Sequence, residues 1–207
     1  TAVWGNAFTE IGLNRRKGNR ALDRLIRILK ICDSASGELK LLLLRITAHN
    51  NVLKEDNYLI PPDFFGAVRD ALHKEFGCAV MVTQGASGDV APRCFKSTIN
   101  PPDADERFTR SDSALEEMAN AVLHDVKPVV SALHPQKACH LAMYARQITL
   151  TAQVPPYQRA AEIADEARRY CGIDGTGWLK QVQRLLQNGI QQQAEEVEVQ
   201  YFSLGSG

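Results

Sequence analysis

The sequence predicts an α/β fold, with a mixed sheet that contains a βαβ unit and helices packed on the sheet. Three observations predict it. "DRLIRILKICDSASGELKLLLLRITAHN" divides at the turn chemistry of "DSASGE" into two strand-like runs. "PPDFFGAVRDALHKEFG" then repeats apolar residues at helical spacing. "CAVMVTQ" follows as a short apolar run that stops at a glycine. Strand, helix and strand in that order make a βαβ unit. Its two strand ends, Ala48-His49 and Gln84-Gly85, should emerge at one sheet edge, where open α/β sheets bind ligands.

Leu25, Leu29 and Ile31 fit a strand, although Leu22, Leu25, Ile26 and Leu29 also fit a helix. The glycine-bearing turn decides for two strands. The second, with "LLLL" at 41–44, reads as buried on both faces. "CAVMVTQ" also reads as a buried strand. In the helix, Phe65, Val68, Leu72 and Phe76 share a face, proline suits the first turn, and Gly77 suits the stop. "KSTINPPDADERFTRSD" reads as a polar surface excursion. A second helix should start near Ser113, where Ser113 and Glu116 have capping-box spacing, and its stripe is Leu115, Met118, Val122 and Val126. "ACHLAMYARQITLTAQV" predicts a long strand ended by Pro155-Pro156. Two helices follow, one facing inward through Ile163, Ala167, Tyr170 and Cys171, the other through Trp178, Val182, Leu185 and Leu186. "EEVEVQYFSL" closes as an alternating strand. No composition shift marks a boundary, so 1–207 reads as one α/β domain, incomplete at both ends.

The 207 residues can bury a substantial core. Lys and Arg total 24 and Asp and Glu total 24, so charge gives no argument for nucleic acid or an anionic membrane. Five scattered cysteines without a CxxC pair suggest neither a disulfide framework nor a zinc ribbon; they read as free thiols. No apolar run is long enough to span a bilayer. No signal peptide is visible. The chain begins at Thr1 without methionine, which points to a processed or partial sequence and assigns no compartment. The partner expected is a small-molecule substrate, and the sequence assigns no oligomeric state.

The chemistry concentrates in a few short stretches. "QGASGDVAPR" drives a strand into a tight polar loop. No Gly-Lys-Ser/Thr follows, the third glycine of a dinucleotide fingerprint is missing, and Ser87 lacks G-x-S-x-G framing. The loop is either an anion cradle or a plain turn. His49, at a strand end, is either a metal ligand or a satisfied structural histidine. His73, His124, His134 and His140 have no ligand-like spacing. In "GLNRRKGNR", Arg15 or Arg16 either stabilises a developing oxyanion or belongs to a solvated basic turn.

The order and spacing of "NRR", "AHNNVL", "DFFG" and "QGASGDVAP" resemble the neutral/alkaline ceramidase family, in particular a small bacterial branch. Asn14 and Arg15 match its Asn-Arg motif, and His49 matches a histidine ending a strand. Asp63, Phe64 and Gly66 match its helix start. Gln84, Gly85, Gly88, Asp89, Val90 and Pro92 match its loop. The resemblance spans about Gly12 to Arg93. It implies a hydrolase of an amide bond, with one zinc ion held by two histidines, a glutamate and a tyrosine. A serine stands beside the metal and an arginine assists at the carbonyl oxygen. It assigns His49 to the metal, Arg15 and Asp89 to catalysis, and Asn14, Gln84, Gly85 and Gly88 to substrate, a lipid-like or amide-containing small molecule. The departure is Ala91, which stands where the family has its serine. Only His49 of the four metal ligands can be placed, so zinc is expected of the full-length protein and its presence on this chain alone is not. Two expectations follow: a metal-dependent amide or ester hydrolase whose substrate is not ceramide, or a non-catalytic binding or assembly domain of the same fold.

Overall fold

A computed structural model describes residues 1–14, 21–53, 62–93, 112–137 and 140–205. They form two compact units, Thr1–His140 with Leu204–Gly207 and Leu141–Ser203.

The first unit is built on a four-stranded sheet in the order β1 (Ala2–Phe8), β3 (Leu25–Cys32), β4 (Leu39–Ile46), β5 (Ala79–Gln84). The first three strands pair antiparallel, and β4 and β5 pair parallel across α1 (Asp63–Phe76). The predicted mixed sheet and βαβ unit are both present. The β3–β4 turn forms because the Asp33 carboxylate accepts from the Ala35 and Ser36 N–H groups at 2.9 and 2.8 Å, while Gly37 takes φ 75°. These N–H bonds, Ser36 first and then Ala35, hold the Asp33 carboxyl below its ordinary range.

Both long helices of this unit pack on one face of the sheet. Ile26, Ile28, Leu42, Leu44 and Ile46 supply that face and are fully buried. Phe64, Val68 and Leu72, four residues apart, supply α1; Met118, Val122 and Val126 supply α2 (Asp112–Ala132). The buried stripe of α1 therefore starts at Phe64, one residue before the predicted Phe65, which is half-buried with Phe76. Gly77 ends α1 at φ 65°, as expected. Next to it, burial pushes the Cys78 thiol up from its ordinary value. Lys30 crosses to the end of α2 and donates to the Val130 and Leu133 carbonyls at 2.8 Å each, satisfying groups the helix leaves open.

Two burial expectations are corrected. β4 is fully buried on the helix side alone; Leu41 and Leu43 on the opposite face are half-buried, because α1 and α2 share one side. β5 is an edge strand with Met81 52 % exposed, rather than a buried strand. Outside this sheet, the short β2 (Gly12–Asn14) pairs antiparallel with β6 (Val90–Pro92). The predicted surface excursion lies outside the described residues up to Ser111, and α2 begins at Asp112, one residue ahead of Ser113.

The second unit holds the predicted strand-helix-helix-strand order: β7 (His140–Gln153), α3 (Tyr157–Cys171), α4 (Thr176–Gln187) and β8 (Gln192–Gly205). β7 and β8 form a two-stranded sheet, with Thr149 bonded to Glu196 and the Tyr144 and Tyr201 rings 6.2 Å apart. The helix faces differ in detail from the expectation. Among the described side chains Ala160 and Ala164 are the buried ones of α3, with Ile163 and Ala167 half-buried; the expected Tyr170 and Cys171 lie outside the described side chains. On α4, Val182 is buried and Trp178 is 39 % exposed. Small residues serve at this contact because the helices approach closely: a Cβ on Gly175 would stand 2.8 Å from that of Ala164.

Candidate functional site

The ends of β4 and β5 meet the β2–β6 pair, and the sequence-predicted residues collect there. Parallel pairing in register, Ile46 opposite Gln84, brings both strands out together. The Gly85 N–H donates to the Ile46 carbonyl at 2.8 Å and turns the chain out of the sheet. The loop closes when the Val90 N–H donates to the Ser87 carbonyl at 2.8 Å. β6 then runs back beside β2, with Gly12 opposite Pro92, Leu13 opposite Ala91 and Asn14 opposite Val90.

This geometry forms two side-chain pairs. Asn14, on β2, donates through Nδ2 to Asp89 Oδ2 at 2.9 Å and to the Ala21 carbonyl at 2.8 Å. The Asp89 carboxylate is thereby held at the exit of the loop. His49 lies on the other side of Val90, its backbone N–H donating to the Val90 carbonyl at 3.0 Å. Its ring Nδ1 faces Gln84 Nε2 at 3.4 Å, a long contact in which the amide NH₂ is the donor. The amide can turn its NH₂ or its oxygen to the ring. With the oxygen toward Nδ1, Nδ1 carries the proton and Nε2 keeps a lone pair free for a metal ion.

Gly85 is fixed by space. A Cβ there would stand 2.5 Å from Thr47 Oγ1, so only glycine fits while Thr47 keeps its place. Gly88 has the opposite character, with open space where a Cβ would be, so its backbone is approachable. Two hydroxyls beneath the loop, Thr47 Oγ1 and Ser87 Oγ, are buried with no hydrogen-bond partner. Such groups are costly in a core and concentrate where function tolerates the cost. Ala91 sits on β6 and is 8 % exposed, a strand residue with only a methyl group.

Arg15 lies outside the described residues, directly after Asn14 in the chain. His49, Gln84, Gly85, Gly88, Asp89 and Asn14 are brought together at one end of the sheet. Among the described residues no three His, Cys, Asp or Glu side chains group as metal ligands. His49 is a suitable donor by its chemistry, and a zinc site at this place needs further donors from beyond the described residues. Sequence reasoning passed over Thr47 and Asn50. Both flank Ala48-His49, and adjacency to a candidate ligand at a strand end was the available signal.

The described fold is similar to solved neutral ceramidases. Neutral ceramidase from Pseudomonas aeruginosa superposes with a TM-score of 0.58 at 16% identity, covering 71% of this chain and 25% of that chain. A ceramidase solved in complex with C2 gives a TM-score of 0.56 at 17% identity, covering 71% of this chain and 24% of that one. The chain thus spans about a quarter of the length of these structures. At this identity the likeness establishes the fold. No family model matches the sequence. No curated protein matches it.

Proposed function

We propose that this chain carries part of the active site of a ceramidase-like, metal-dependent hydrolase of amide or ester bonds. The observation that carries the reading is the meeting of His49–Gln84 and Asn14–Asp89 at neighbouring strand ends, in a fold similar to that of neutral ceramidases. His49 would hold zinc together with donors beyond the described residues. When bound, zinc supplies a Lewis acid for a carbonyl oxygen and a means to activate water. Gln84 stands beside the His49 ring, and with its amide oxygen turned to Nδ1 it would fix the tautomer that leaves Nε2 free. Asp89, fixed by Asn14, is the carboxylate placed to take a proton from water. Arg15 stabilises negative charge developing on the carbonyl oxygen. The approachable Gly88 backbone, with Gly85 and Gln84, forms the wall against which substrate lies. Ala91 offers no hydroxyl, so water is the nucleophile and the substrate is a lipid-like or amide-containing molecule other than ceramide.

The test is hydrolysis of a panel of N-acyl amines and esters by the full-length gene product. Activity should vanish on chelation and in His49→Ala, and Gln84→Ala should lower it about 10–100-fold. Ceramide itself should not turn over. Ala91 also favours a second reading, a binding or assembly domain that has lost catalysis. An inert full-length protein across the whole panel would establish that reading and defeat the first.

A further inference from the structure

Directly after His49 the chain runs through Asn50 to Leu53, and this short segment is bolted to the start of α1. Pro62 precedes the helix and offers no capping side chain. Two other residues do the capping. The Asp63 carboxylate accepts from its neighbour Phe64 N–H at 2.7 Å. It also accepts from the Val52 N–H at 2.8 Å and, through its other oxygen, from the Leu53 N–H at 2.9 Å. Asn50 reaches from outside the helix: its Oδ1 accepts from the Phe65 N–H at 2.9 Å, and its Nδ2 donates to the Pro62 carbonyl at 3.2 Å.

Asp63 is 8 % exposed, a carboxylate inside the protein whose two oxygens take three backbone N–H groups. It holds this place at φ 48°, in the left-handed region where side chains other than glycine are disfavoured. Gly66 completes the arrangement, because a Cβ there would strike the Pro62 ring at 2.2 Å. A carboxylate at a backbone conformation better suited to glycine indicates that the residue serves for its oxygens.

We infer that Asp63, with Asn50, is a positioning residue for His49. The His49 backbone is tied on one side by its N–H to the Val90 carbonyl. On the other side Asn50, Val52 and Leu53 are tied to α1. Held from both directions, the ring keeps its place beside Gln84 without any contact to Asp63 itself. The "DFFG" stretch thus acts at the site through the backbone of the segment after the histidine. The importance of this role rests on His49 being the working histidine; the clamp itself does not.

The experiment uses the whole chain and needs neither substrate nor metal. Amide hydrogen exchange at Val52 and Leu53 and the NMR ring signals of His49 at fixed pH are followed in Asp63→Asn, Asp63→Gly and Asn50→Ala. Val130→Ala, at the far end of α2, is the control for general destabilisation. Asp63→Gly suits φ 48° and removes the carboxylate. It should speed exchange at Val52 and Leu53 by about tenfold or more beyond the control, and shift or broaden the His49 ring signals. Asp63→Asn keeps one acceptor oxygen and should fall between. Asn50→Ala should move the ring signals while leaving the fold intact. If Asp63→Gly leaves the ring signals as in Val130→Ala, the inference fails: with faster exchange at Val52 and Leu53 Asp63 serves the backbone alone, and with unchanged exchange the clamp itself is absent. If the clamp behaves as expected while the full-length protein hydrolyses nothing, the hydrolase reading fails and the positioning role stands.

Discussion

The helix-covered face of the sheet and the strand ends only a few residues beyond it follow opposite rules. On the covered face Ile28, Leu44, Ile46, Val68 and Leu72 are fully buried, and the Lys30 ammonium donates to the Val130 and Leu133 carbonyls at the end of α2. At the strand ends Thr47 and Ser87 bury hydroxyls without partners, Gly85 is pinned against Thr47, Asn14 bonds Asp89, and Gln84 stands beside His49. The chain passes from one regime to the other where β4 ends, between Ile46 and Thr47. A region where pattern, packing and polar satisfaction agree serves stability; a region that departs from them beside such a core is where function is to be sought.

Substitutions in the two regions should differ in their cost. The largest effect belongs to the core. Phe64→Ala or Leu72→Ala should lower unfolding stability by about 2–5 kcal/mol in denaturant titrations. A loss under about 1 kcal/mol would show that this face is not the close-packed core described. Gly85→Ala comes next, at about 1–3 kcal/mol, because its Cβ must displace Thr47 Oγ1. Adding Thr47→Ala should recover part of that loss, a coupling that a double-mutant cycle measures. Thr47→Val alone replaces an unpartnered buried hydroxyl with a methyl group. It should leave stability unchanged or slightly raised, although the same polar-to-apolar change at a bonded hydroxyl would destabilise.

The smallest effect is an acid response far from the site. The Asp33 carboxyl titrates lower in the folded chain than unfolded, because the Ser36 and Ala35 N–H groups bind its charged form. Its stabilisation is therefore present above the ordinary aspartate pKa and is lost as pH falls through the lower, folded value. Exchange of the Ala35 and Ser36 amides should lose protection in that acidic window, and Asp33→Ala should remove the pH dependence.

Much of the fold was legible because local signals agreed. "DSASGE" marked the β3–β4 turn, and Gly77 and Pro155-Pro156 marked ends that the structure keeps. Burial was less legible. An apolar run such as "LLLL" indicates a strand, but which face is covered depends on where helices distant in sequence come to lie. The same limit moved the α1 stripe to Phe64 and left Trp178 partly exposed on α4. At the site, motif order placed His49, Gln84, Asp89 and Asn14 together, while the pairs they form came only with three-dimensional register. The clamp through Asp63 and Asn50 was hidden for another reason. Side chains that bond backbone groups leave no periodicity in the sequence.

The most direct test of the central claim is the zinc content of the full-length gene product, determined by elemental analysis beside His49→Ala. About one zinc per chain is expected for the natural sequence, with a marked loss in His49→Ala while the fold is retained. Equal metal content in the two proteins, or none in either, would contradict it.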